Sequence, residues 1–125
     1  MQRHVVSVLT DASGDVTAYT SAAVEGEVLS IRYIPDGTSP LDTGADVTVT
    51  GRDSTTPIIT ITNLGTSAVS MAPRQATVSV ANAAALYAAG GAAVNDRIGI
   101  SGEQIKIVVA QGGNAKLGKF HITVG

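Results

Sequence analysis

The sequence predicts an all-β fold, an antiparallel β-sandwich or jelly-roll-like barrel of about seven or eight short strands in a single domain, 1–125. The first observation behind this prediction is the alternation of apolar and polar residues along several short runs, which is typical of strands with one buried face. The second is the series of turn-forming residues between those runs. The third is a composition rich in valine, isoleucine and threonine, with 44% apolar and only 14% charged residues.

The candidate strands follow one another along the chain. The first two lie at 5–9 and 15–20. Each later run gathers apolar side chains on one face and polar side chains on the other, as a half-buried strand requires. The apolar sets are Leu29, Ile31 and Tyr33; Val47 and Val49; Ile59 and Ile61; Ile105, Ile107 and Val109; and Phe120, Ile122 and Val124.

Turn chemistry separates these runs. The segment 11–15 fits a hairpin connection, and Pro35 followed by Asp36 and Gly37 fits a turn that opens a longer loop, 35–44. Segments 51–55 and 111–116 join further pairs of candidate strands. Short strands at this spacing favour an antiparallel sandwich or barrel.

Residues 81–94 break the alternation and are rich in alanine. They predict one short helix or an ordered loop near 81–90. Asn82 fits a helix N-cap, and Gly90 with Gly91 fits a C-terminal stop. Such a helix has about two turns, which is marginal alone. The alternative is an ordered loop packed on the sandwich or on a neighbouring subunit.

Composition and charge exclude several classes of function. A net charge of −2, scattered Lys and Arg and 3% aromatic residues argue against nucleic-acid binding. The absence of cysteine excludes disulfides and thiolate metal sites. No apolar stretch is long enough for a transmembrane helix, so we expect no membrane partner. The first ten residues lack a signal-peptide core, which leads us to expect assembly in a cytoplasm.

Motifs that suggest ligands are incomplete. Segment 113–119 has the spacing of a phosphate-binding loop, but Phe120 stands where Ser or Thr would hold magnesium. His4 and His121 come close only if the terminal strands pair, and zinc needs a third ligand. Segments 11–15 and 42–46 match only fragments of calcium loops. We therefore predict no cofactor and no metal site.

No catalytic group can be nominated. The chain has no G-x-S-x-G elbow around any serine. Glu25, Glu27 and Glu103 fall at predicted strand starts or in loops, where solvated charge explains them. We predict that the protein is not an enzyme.

Contact with other proteins is the better prediction. Segment 71–76 contains Met71 and Arg74, and Tyr87 follows in the alanine-rich stretch; these residue types are enriched at protein interfaces. A core with so few aromatic residues and a surface with little charge also favour burial between copies.

A resemblance supports this direction. Segments 94–98, 103–113 and 118–125, together with 31–33 and 44–47, resemble small virion proteins of tailed bacteriophages and related gene-transfer particles. The resemblance implies a head decoration (cement) protein on the capsid surface, bound to the major capsid protein and to its own copies, commonly as a trimer. It implies no catalytic residues. The alternative is a glycan- or receptor-binding β-sandwich, such as a head-spike base or a tail-associated adhesin module.

Under this hypothesis the N-terminal residues and the loops 35–44 and 71–94 are the expected contact elements. The candidate contact residues are Arg3, His4, Pro35, Leu41, Met71, Pro73, Arg74, Leu86 and Tyr87.

Overall fold

A computed structural model describes all of residues 1–125, which form eleven β-strands and no helix. The strands are β1 (Gln2–Leu9), β2 (Val16–Tyr19), β3 (Val24–Pro35), β4 (Asp46–Gly51), β5 (Pro57–Ile61), β6 (Val69–Met71), β7 (Gln75–Ala76), β8 (Asn95–Asp96), β9 (Ile98–Glu103), β10 (Ile105–Ala110) and β11 (Leu117–Val124). The predicted all-β class is confirmed. The fold contains no helix long and apolar enough to cross a membrane.

Two antiparallel sheets make up the body of the protein. Sheet A has the order β1-β11-β3-β6, and β9 pairs with the first part of β3. Sheet B has the order β2-β10-β4-β5. The short strands β7 and β8 pair only with each other and belong to neither sheet.

One core of 20 buried apolar residues lies between the sheets. Its largest members include Tyr33 and Phe120, whose ring centroids lie 5.3 Å apart on neighbouring strands of sheet A. Most of the remaining core side chains are Val and Ile from the inward positions of the strands. The alternation in the sequence therefore marks the buried faces of the sandwich, as predicted.

At a few positions the observed burial differs from the burial that the alternation predicts, and irregular strand pairing explains the difference. A register shift in the pairing of β11 with β3 inserts an extra residue, Leu29, and leaves it half-buried rather than buried. A shift in the pairing of β4 with β5 inserts Ile58, which is buried, whereas Ile59 and Ile61 are only half-buried. Edge position also contributes, because β5 ends sheet B.

Alternation in the sequence predicts β1, β4, β5, β10, β11 and the second half of β3, but it misses β9 and the first part of β3. The glutamates Glu25 and Glu27 flank Gly26, which has a φ of 124°, so no apolar alternation is visible there. That stretch pairs with Gly99 and its neighbours in β9, where glycine again hides the pattern. These strands form because two segments distant in the chain pair with each other, and neither segment alone has the pattern of a strand.

No helix forms near 81–90, so of the two predicted alternatives the structure has the loop, which is largely exposed rather than packed on the sandwich. Asn82 does not cap a helix. It lies in a turn with a φ of 59°, and its backbone N–H donates to the Ser79 carbonyl. The segment between β7 and β8 folds as extended chain and tight turns. Without a core face to bury, two helical turns would not have been stable.

Candidate functional site

The most distinctive feature outside the core is the segment 75–96, called the arm below. It begins with a stem in which Gln75 pairs with Asp96 and Ala76 pairs with Asn95. Beyond the stem, Thr77 donates both its N–H and its hydroxyl to the Val94 carbonyl, at 2.7 and 2.8 Å. The arm is therefore an antiparallel ribbon that leaves the sandwich and returns to it.

The ribbon branches at its far end. Ala85 donates its N–H to the Thr77 carbonyl, and Val94 donates its N–H to the Ala85 carbonyl, at 3.0 and 2.9 Å. Three chain segments thus meet at one junction. Two small loops leave it, closed by the bridges Val78 to Ala84 and Leu86 to Ala93. This three-way hydrogen bonding gives the arm a defined backbone without a core.

The arm presents apolar side chains to solvent. None of its residues is buried; the half-buried ones are Thr77, Ala85, Ala93 and Val94, at or beside the junction. Val80 at the tip of the first loop is fully exposed, Val78 is 56% exposed, and Tyr87 in the second loop is 76% exposed. Exposed large apolar side chains on one segment make the arm the candidate contact surface of this fold.

The predicted contact residues divide between the arm and the body. Leu86 and Tyr87 lie exposed on the second loop of the arm, and Arg74 lies exposed at its base. Val78 and Val80 are not among the contact residues predicted from the sequence. Their alternation around Ser79 in an otherwise small-residue segment is the signal that could have identified them.

Two of the predicted contact residues are unavailable to a partner. Leu41 is fully buried in the core, and Pro73 is also buried. Leu41 anchors the loop 35–44 to the body, because its N–H donates to the Tyr33 hydroxyl at 3.2 Å. Neither side chain can therefore meet a partner directly, and Leu41 instead fixes its own loop.

The other predicted contact residues lie on or near sheet A. Arg3 is exposed on the outer face of β1, whereas His4 is half-buried on the opposite face with its Nε2 buried and unpaired. Pro35 ends β3 and Met71 ends β6, both half-buried. Met71 packs against the core. These positions are distributed over the body and do not converge with the arm on one site.

The loop that follows β3 is fixed by local hydrogen bonds. One carboxylate oxygen of Asp36 accepts the N–H of Thr38 at 3.0 Å and that of Ser39 at 2.8 Å. These backbone donors hold the pKa of Asp36 below its ordinary value. The loop is therefore a pre-ordered rim of the sandwich.

The segments that resembled ligand motifs serve as turns. Segment 113–116 turns the chain from β10 into β11, so Lys119 sits in a strand rather than at a helix start. Strands β1 and β11 do pair, but His4 is opposite Ile122 while His121 is opposite Val5, so the two imidazoles lie on opposite faces.

In the segments that resemble calcium loops, Asp11 and Asp46 accept hydrogen bonds from backbone N–H groups. Asp11 accepts the N–H groups of Ser13 and Asp15 at 2.8 and 3.0 Å. Asp46 accepts the Asn63 N–H at 3.1 Å. No group of three or more His, Asp or Glu side chains is placed to share a metal ion. Two shallow surface cavities, of about 330 and 230 Å³, lie near Lys119 and near Asp15.

Comparisons with known proteins give little. No protein-family model matches the chain, and no curated protein matches its sequence. Among solved structures, the crystal structure of FLHE is similar to this chain with a TM-score of 0.43 and 12% identity, over 98% of this chain and 94% of that chain. A likeness at this level determines neither fold nor function.

Proposed function

We propose that this protein is a non-enzymatic structural component of a virion, a capsid decoration protein that binds the outer shell and stabilises contacts between capsomers. Its partners in this proposal are the major capsid protein and further copies of itself, as a trimer on the virion surface. The observation that carries the proposal is the arm, an ordered apolar protrusion that the chain's own core leaves uncovered.

The energetics of the arm favour binding as its role. An isolated two-stranded ribbon is only marginally stable in water. Burial of one Val or Leu side chain contributes about 1.5–3 kcal/mol. Val78, Val80 and Leu86 are exposed in the single chain, so their burial against a partner would contribute this free energy to binding. Contact with a partner surface would bury these side chains and would stabilise the arm at the same time.

The sandwich body has the rigidity that a structural protein needs. Its strands are joined by continuous ladders of backbone hydrogen bonds, and its core is continuous between the two sheets. A rigid body that binds one state of a shell more tightly than another stabilises that state by the difference in binding free energy. Several copies linked in one oligomer gain further from their effective concentration.

The test is the composition of purified particles made by the genome that encodes this chain. Quantitative mass spectrometry should find the protein at a copy number set by the capsid lattice. A chain absent from the particles, or present at only a few copies, would overturn the proposal.

Variants then connect incorporation to the arm. Replacing 77–94 with a short Gly-Ser linker between Ala76 and Asn95, or making Leu86→Ala with Tyr87→Ala, should reduce incorporation at least about tenfold. The matched control is Tyr19→Ala, which removes an aromatic side chain from sheet B and should incorporate normally.

The receptor-binding alternative has its own readout. Tyr33 and Phe120 are buried, and the Arg52 guanidinium covers the Tyr19 ring at 4.4 Å from its centroid, so Tyr87 is the aromatic side chain most open to a sugar. A glycan array that binds the wild type and loses signal in Tyr87→Ala, with the protein missing from shells, would favour that alternative.

A further inference from the structure

The outer face of sheet A carries a basic patch, defined here by Arg3, Arg32, Lys119 and His121. Strand register places these residues together, because Arg32 is directly opposite His121 and Arg3 is opposite Thr123, one outward position further along β11. Lys119 is the preceding outward residue of β11. Cross-strand neighbours on one face lie about 5 Å apart, so the positive charges share one area of the surface.

The patch contains no acidic side chain. The outward positions beside it on β1, β11, β3 and β6 are Val5, Ser7, Leu9, Leu117, Thr123, Ser30, Ile34 and Ser70. Arg32 bonds the Ser70 hydroxyl at 3.3 Å, and the single ion pair of the protein joins Lys116 to Asp42 elsewhere. Asp36 lies at the rim near Lys119, with one of its oxygens bonded to backbone N–H groups.

This arrangement costs stability within the chain. None of Arg3, Arg32 and Lys119 is directly opposite another, but their like charges on one face still repel one another. Burial, followed by the charges of Arg3, Lys119 and Arg32, holds the pKa of His121 below its ordinary value. In the free protein Arg3 and Arg32 therefore have no ion-pair partner, and only Lys119 has a carboxylate, that of Asp36, nearby.

Apolar side chains lie among the cations. Val5 is 47% exposed and Leu9 is 58% exposed on the outer face of β1, and Leu117 beside Leu9 is 39% exposed. A phosphate backbone gains nothing from apolar contact, whereas a protein surface does. The patch also lacks an aromatic side chain on which a base could stack. Charge and apolar area together favour a protein partner over a nucleic acid.

We propose that the outer face of sheet A is a second docking surface, which binds a protein surface presenting carboxylates beside apolar side chains. Charge complementarity supports this partner, because Arg3, Arg32 and Lys119 form no ion pair, and the exposed Glu25 and Glu27 of the same sheet lie at the other end of β3, where it pairs with β9. The inference goes beyond the proposed function, because it concerns a surface other than the arm and holds whether or not the partner is a capsid shell.

The experiment uses the full chain and defined probes. Fluorescence anisotropy measures binding to a labelled glutamate–tyrosine copolymer, to poly-glutamate and to duplex DNA at equal ionic strength. Wild-type protein should bind the copolymer most tightly, and added salt should weaken this binding. Arg32→Glu with Lys119→Glu should reduce copolymer affinity about tenfold or more.

Controls keep the result specific. Arg97→Glu with Lys106→Glu makes the same change in net charge away from the patch and should alter affinity less than about twofold. Arg32→Gln with Lys119→Gln, followed by thermal melting, separates loss of charge from loss of fold. Equal affinities for the patch and control variants, tighter binding to DNA than to the copolymer, or no binding at all would overturn the inference. So would a wild-type oligomer that the patch variant alone dissociates, because the occupant would then be a second copy.

Discussion

The hydroxyl of Tyr33 accepts a hydrogen bond from the backbone N–H of Leu41 at 3.2 Å, and both residues are fully buried. This bond fastens the loop after β3 to the centre of the core. The loop forms one rim of the outer face of sheet A, so a core side chain fixes the border of a surface proposed to bind a partner.

Tyr33→Phe should destabilise the protein by about 1–3 kcal/mol, because the buried Leu41 N–H would lose its acceptor while the ring packing remains. Urea denaturation measures this difference. Tyr19→Phe is the control, since that hydroxyl is not hydrogen bonded within the protein and its removal should change stability by less than about 0.5 kcal/mol. Equal effects of the two substitutions would contradict the role of the Tyr33–Leu41 bond.

Gly118→Ala should cost about 1–3 kcal/mol. A Cβ atom at Gly118 would lie 2.7 Å from Cε1 of the Tyr33 ring, which is held between core neighbours and cannot withdraw freely. Gly37→Ala is a matched control in the adjoining loop, because a Cβ there meets nothing within 4 Å. Thermal melting of both variants checks the prediction, and a Gly118→Ala protein as stable as wild type would refute it.

Glu103 should make stability depend on acid pH. Its Oε1 accepts the N–H of Ser54 at 3.0 Å and that of Asp53 at 2.9 Å, which joins β9 of sheet A to the turn after β4 of sheet B. These bonds hold the pKa of Glu103 below its ordinary value of 4.5. The stabilisation is therefore present above pH 4.5 and is lost as pH falls through the lower folded value.

Thermal melting between pH 7 and pH 3 tests this for Glu103→Gln. The variant should lose less stability than wild type as the pH falls. Glu25→Gln, an exposed carboxylate on β3 without a hydrogen bond from the chain, should follow the wild-type curve. A Glu103→Gln curve parallel to wild type throughout would contradict the assignment.

His121 should make stability depend on pH nearer neutrality. Its pKa lies below the ordinary 6.5, because of burial and of Arg3 on β1, Lys119 on β11 and Arg32 on β3. The unfolded chain therefore takes up a proton first, and the contribution of neutral His121 is lost as pH falls below 6.5. Denaturation at pH 7.5 and pH 5.5 should show a smaller decrease for His121→Gln than for wild type. Added salt should reduce the difference by screening the cations.

The arm should exchange amide hydrogens much faster than the sheets in the free protein. Its hydrogen bonds are exposed to solvent and no buried residue covers them, whereas those of β3 and β11 adjoin the core. Hydrogen exchange read by mass spectrometry should show protection of 77–94 only when the protein is bound to shells. Strong protection in the free chain would contradict the proposal that the arm awaits a partner.

Alternation along Ile105, Ile107 and Val109, and along Phe120, Ile122 and Val124, was enough to predict the strands and their buried faces. It was enough because side chains in a strand point to opposite sides in turn, whatever the strand pairs with. Alternation failed at Glu25 and Gly26, where order comes from pairing with a distant strand. It failed again at Asn82, where local helix signals lacked a core face to bury.

The candidate surfaces depended still more on tertiary structure. The sequence predicted Leu86, Tyr87, Arg74 and Leu41 alike as contact residues, but only the structure showed that the first three are exposed and that Leu41 is buried. The basic patch was invisible because Arg3, Arg32 and Lys119 are far apart in the chain. The sequence by itself thus determined the class of fold and the inward faces, which are local properties of strands. Only the tertiary structure decided which charges share a face and which apolar side chains stay uncovered, because strand register brings distant residues together.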